Sequence, residues 1–82
     1  MEKIYIVEDT DRRREYQLLD EPSIISAYST KEKALEFINE RKKDILEEDG
    51  INVRSDTGDG RYFYAESDCG WHELILLERD LN

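Results

Sequence analysis

The chain has 82 residues, enough for a single domain over residues 1–82 and too few for two separate cores. Its 21 acidic residues outnumber 12 basic ones, and the net charge of -9 argues against sequence-independent binding to DNA or RNA and against an anionic membrane, both of which need a positive field. One cysteine, Cys69, excludes an internal disulfide and a cysteine-clustered zinc site.

Hydrophobic residues make up 38% of the chain and fall into periodic segments, which disordered chains usually lack. Nothing resembles the apolar core of a signal peptide, and no run approaches the roughly 18 apolar residues of a membrane span. The expected location is the cytoplasm.

Ile4-Tyr5-Ile6-Val7 is the first predicted strand, four β-formers between charged flanks. Residues 8–22 read as irregular. Asp9-Thr10-Asp11 is turn-like, Arg12-Arg13-Arg14 follows, and Pro22 restricts Glu21 to an extended conformation. A long hairpin loop with its far arm beginning near Glu15 fits this stretch. Residues 23–28 form the second predicted strand, with Ile25 and Ala27 on one face and Ile24, Ser26 and Tyr28 on the other.

Ser29-Thr30-Lys31-Glu32 matches the S-x-x-E capping box, so a helix is predicted from Thr30 to about Glu48. Ala34, Leu35, Ile38, Ile45 and Leu46 form its apolar stripe, with the stem of Lys42 bridging the two halves and Phe37 at the edge. Gly50 is a natural stop. Ile51-Asn52-Val53 reads as a short extended lead-in to a turn at residues 54–60. The third predicted strand covers residues 61–66, with Tyr62 and Tyr64 opposite Phe63 and Ala65. After the connection Ser67-Asp68-Cys69-Gly70, the fourth covers residues 71–78, where Trp71, Glu73, Ile75 and Leu77 alternate with His72, Leu74, Leu76 and Glu78.

The order β-β-α-β-β predicts an α+β fold: a two-layer, three- or four-stranded, mainly antiparallel sheet with one helix on one face. The uncovered face then takes one row from each strand: Tyr5 or Ile4, Tyr62 or Phe63, Ile75 or Leu76. That is more apolar surface than a small lone domain leaves wet, which implies a second packing partner or a homodimer formed through the sheet.

Each candidate for chemistry competes with a plainer role. Cys69 lies three residues before His72, and a thiolate–imidazole pair there would define a small enzyme or ligand-binding domain. That spacing across a strand start does not set the pair's geometry, and ordinary structural roles are favoured. The stretch Asp56-Thr57-Gly58-Asp59-Gly60 fails as a calcium loop, because the third and twelfth positions hold Gly58 and Ser67. Arg12-Arg13-Arg14 is a basic cluster, and Glu8, Asp9, Asp11 and Glu15 largely cancel its field. No cofactor or metal is expected.

Two sets of residues point to protein binding. Glu32, Glu36 and Glu40 repeat every four residues along one helix face, with Asp44 and Glu48 continuing the row. A solvated helix face is the ordinary explanation of the row. Tyr62, Tyr64 and Trp71 belong to the residue types that anchor protein interfaces.

At Ser29-Thr30-Lys31-Glu32-Lys33-Ala34, a strand ending in Tyr-Ser and followed by Thr-Lys-Glu-Lys-Ala resembles a group of small uncharacterised bacterial and phage proteins of β-β-α-β-β type. Lys3-Ile4-Tyr5-Ile6-Val7 and the strand at residues 71–78 extend the likeness to about half the chain. The resemblance implies the fold and a prokaryotic or phage origin, and no substrate. Together these readings give a non-enzymatic adaptor or inhibitor with a basic protein partner. A structural subunit of a larger assembly and the Cys69/His72 enzyme stand as alternatives.

Overall fold

The computed structural model describes residues 2–13, 24–68 and 70–81. Five strands and one helix follow in the order β1 (Glu2–Arg13), β2 (Ile24–Tyr28), α1 (Lys31–Leu46), β3 (Asn52–Asp56), β4 (Tyr62–Ser67) and β5 (Gly70–Leu81). The strands form one sheet ordered β2-β1-β5-β4-β3, with every neighbouring pair antiparallel. α1 lies across one face, so the fold is the expected two-layer α+β arrangement, a slab with extents of 44 × 26 × 16 Å.

β1 and β5 are the spine of the sheet, pairing without a break from Glu2↔Leu81 to Arg13↔Gly70. β1 is therefore far longer than its apolar run. Asp9-Thr10-Asp11, expected as a turn, is strand. The reason is tertiary. Asp9 projects to the helix side, where Arg41 Nε donates to its Oδ2 at 2.7 Å, and Asp11 approaches His72. Polar residues sit in the strand because their partners lie on other elements. β3 is the fifth strand, formed where the sequence suggested a lead-in and a turn. It pairs with β4 through a register shift between Val53 and Ser55.

The core lies between α1 and the sheet. Val7, Phe63, Ala65, Leu74 and Leu76 come from the strands, and Ala34, Ile38 and Ile45 from the helix. Each large side chain among them contributes about 1.5–3 kcal/mol on burial. Leu46 is 52% exposed, so the stripe ends one residue earlier than its periodicity suggested. Lys42 does bridge the stripe: its Nζ stands 5.3 Å from the centre of the Phe63 ring and 3.0 Å from Asp56 Oδ1.

The helix start differs from expectation by one residue. Thr30 is the N-cap, with extended backbone and a hydroxyl that accepts from the Lys33 N–H at 3.3 Å. The capping box anchored on Ser29 is therefore not the device used. Glu32 remains in the first turn, where a carboxylate complements the helix dipole.

The β3–β4 connection is an ordered turn. The Gly58 N–H donates to Asp56 Oδ1 at 2.9 Å, and the Thr57 hydroxyl and the Arg61 N–H both donate to Asp59 Oδ1. The Gly58 N–H, then Lys42, hold the Asp56 carboxyl below its ordinary pKa, and the Thr57 hydroxyl and Arg61 N–H do the same for Asp59. These donors, with the Lys42 ammonium on Asp56, hold the two acidic side chains of the turn in place. Gly60 is buried at φ +86°, with Leu35 packed against the space a side chain would need.

Candidate functional site

Strand alternation resolves the choices left open by the sequence. Tyr5, Phe63 and Leu76 share the helix side, so Ile4, Tyr62 and Ile75 belong to the opposite, uncovered face. Along that face the register sets side chains in rows. Ala27, Ile6 and Leu77 form one row, and Ile25, Glu8, Ile75 and Tyr62 the next. Thr10, Glu73 and Tyr64 follow, then Arg12, Trp71 and Glu66.

These side chains are mostly half-buried by one another, while Ile25 is 64% exposed. The face is mainly apolar, with Glu8 and Glu73 set among its central side chains and Arg12 and Glu66 in the last row. Glu8 stands between Ile25 and Ile75 in register. Glu73 Oε2 accepts from the Tyr62 hydroxyl at 2.8 Å, and this bond raises the Tyr62 pKa above its ordinary value. At the rim, Arg54 Nε donates to Glu66 Oε1 at 2.7 Å.

Of the expected contact residues, Tyr62, Tyr64 and Trp71 lie together on this face. Glu32, Glu36 and Glu40 are exposed on α1, in the other layer. A single flat partner surface can meet one set or the other, not both. Glu48 leaves the acidic row altogether: it lies just beyond α1, and His72 Nε2 donates to its carboxylate at 2.9 Å. Of the basic cluster, Arg12 is on the uncovered face, and Arg14 lies outside the described residues.

His72 is 7% exposed, on the helix side of β5. Besides Glu48 at Nε2, Asp11 Oδ1 stands 3.1 Å from Nδ1, off the direction needed for a hydrogen bond. Through Nε2 the ring thus joins β5 to the segment just beyond α1. Cys69, the other member of the suggested pair, lies outside the described residues. Among the described residues no group of three or more His, Cys, Asp or Glu side chains is arranged to hold a metal ion, and no helix is long and apolar enough to cross a membrane.

Sequence reasoning missed Glu8 as a member of the face, because the extension of β1 through Glu8 was not visible. Glu73 shares its face with Trp71, Ile75 and Leu77 by strand alternation alone. Comparison of the chain with protein-family models, curated proteins and solved structures gives no match.

Proposed function

We propose that this protein is a binding module, an adaptor or inhibitor that acts by occupying a partner protein and not by turnover. The sheet face opposite α1 is its contact surface. The reading is carried by the cluster of Ile6, Leu77, Ile75, Tyr62 and Tyr64 around the carboxylates of Glu8 and Glu73. Central aromatic and aliphatic anchors favour a protein partner. The two carboxylates and the net charge of -9 favour one that brings Lys or Arg to the face.

Scale is consistent with this use. Four rows on four strands cover roughly 20 × 20 Å, or about 400 Å², given strand spacings of about 4.8 Å and a rise of about 3.4 Å per residue. Patches of about 300–600 Å² on a monomer are often functional. A face-to-face homodimer would use the same surface, but Glu8 and Glu73 from both copies would be brought together, which favours a basic partner. His72 has a structural use that fits this reading, since its Nε2 donates to Glu48 just beyond α1 and fastens β5 to the helix layer. In this reading the protein works in the cytoplasm of a bacterium or of a phage-infected cell.

A photo-crosslinking amino acid placed at Tyr64, and separately at Glu36, tests the surface in cells of the protein's source. One dominant protein adduct is expected from Tyr64. The isolated complex should weaken steeply between about 50 mM and about 300 mM salt, as screening removes the charge complementarity. No adduct at Tyr64 above the level at Glu36 would overturn the reading.

A further inference from the structure

The second unpartnered feature is an edge of the sheet. β2 bonds to β1 on one side and meets no strand on the other among the described residues. Free edges invite strand addition, and proteins blunt them with charges, prolines or bulges. The opposite edge strand, β3, is blunted in this way: it has a register shift between Val53 and Ser55 and carries Arg54 and Asp56.

β2 has neither device. Its pairing with β1 runs without a shift from Tyr5↔Tyr28 to Asp9↔Ile24, and none of Ile24, Ile25, Ser26, Ala27 and Tyr28 is charged. Ile24 and Ile25 are 65% and 64% exposed, the most of any large hydrophobic side chain described. The sequence around them is equally unusual. Residues 22–30 are the longest uncharged run in a chain that is 40% charged.

We infer that β2 pairs antiparallel with β2 of a second copy of this chain, across a two-fold axis perpendicular to the sheet at Ser26. The segment is self-complementary in that register. Ser26 meets its own equivalent, Ile24 lies opposite Tyr28 of the partner subunit, and Ile25 opposite Ala27 of the partner subunit. Antiparallel pairing keeps each side chain on its own face, so Ile24 gains an aromatic neighbour on the helix side. The ladder adds roughly four to six hydrogen bonds, depending on whether Ser26 forms a hydrogen-bonded or a non-hydrogen-bonded pair.

Charge selects the occupant. Two copies of net charge -9 repel wherever acidic surfaces meet, and they approach at least cost along an uncharged edge. A basic partner gains nothing from that edge. The axis leaves both α1 helices on one side and makes a ten-stranded sheet with a continuous uncovered face, whatever that face binds.

Sedimentation velocity tests the pairing on the full chain, over concentrations on the order of 1–200 µM, the range where a small interface self-associates. A reversible dimer is expected. Ile24→Lys should raise its dissociation constant at least tenfold without altering the far-ultraviolet circular dichroism. In a Cys69→Ser background, Ser26→Cys should link to its own copy with a short thiol–thiol cross-linker, while Ser55→Cys on β3 should not. A chain that stays monomeric throughout overturns the inference. So does a dimer that resists Ile24→Lys but is lost in Trp71→Lys, because that dimer would pair through the uncovered face. Loss of the proposed partner's binding with the dimer intact would overturn the function and leave the edge pairing standing.

Discussion

The Asp9–Arg41 pair fixes α1 to the spine of the sheet, and its strength can be worked from its burial. Asp9 is 6% exposed and the Arg41 side chain 25%. The hydrogen bond to Asp9 raises the Arg41 pKa above its ordinary value, against the opposing effect of burial. Arg41→Met strands the carboxylate. Breaking a buried pair from one end costs about 3–5 kcal/mol, and partial water access at the Arg41 end puts the expected loss near 3 kcal/mol. Asp9→Val strands the guanidinium, whose long stem can swing toward solvent, so about 1–2 kcal/mol is expected. With both changes no charge is left unpaired, and the double variant should fall within about 1 kcal/mol of the original chain. The coupling is then roughly 3–5 kcal/mol, far from additive. Urea unfolding followed by circular dichroism measures it. With a slope of about 1 kcal/mol/M for a domain of this size, Arg41→Met lowers the midpoint by about 3 M. If total stability is near the low end of about 4–12 kcal/mol, that variant keeps only about 1 kcal/mol, and roughly one molecule in six is unfolded in water. Single variants each within about 0.5 kcal/mol of the original chain, and additive in combination, would refute the reasoning and make the pair an ordinary surface bridge.

Two further outcomes are expected. Gly60→Ala must place a methyl against Leu35 at φ +86°, whereas Gly58→Ala at φ +79° meets nothing within 4 Å. Gly58→Ala should therefore cost about 1 kcal/mol and Gly60→Ala about 2–3 kcal/mol, read as melting temperatures that differ by roughly 4–8 °C per kcal/mol. Equal losses would show that Leu35 yields freely. In alkaline titration followed by ultraviolet absorbance, Tyr62 should ionise above a free tyrosine, and Glu73→Gln should bring it down. Because its folded pKa lies above the unfolded value, its contribution to stability is fully present below about pH 10 and is lost as pH rises through the folded pKa. An unchanged titration in Glu73→Gln would remove the hydrogen bond as the cause.

Much of the candidate face was readable from alternation. Tyr62 against Phe63 and Ile75 against Leu76 were assigned to opposite sides by period alone, because a strand's side-chain geometry is local. Which side faces α1 was not local. It required knowing that Phe63 and Leu74 meet Ile38 and Ile45 under the helix. Glu8 was lost with the rest of the polar half of β1, since a strand built on Asp9, Thr10 and Asp11 looks like a turn until its partners are in place.

The sequence by itself determined the class of the molecule: a small acidic α+β domain whose helix carries one apolar stripe and whose strands alternate. Composition and period suffice for that because propensity and amphipathicity act within a few residues. The tertiary structure decided the polar fastenings and the free surfaces. Asp9 finds Arg41 from 32 residues away and His72 finds Glu48 from 24, and no local pattern encodes such distances. The same holds for the acidity that first marks this chain. Its net charge of -9 is a property of the sequence, but the sheet order alone sets Glu8 and Glu73 into an apolar face and leaves β2, without a charge, at the edge.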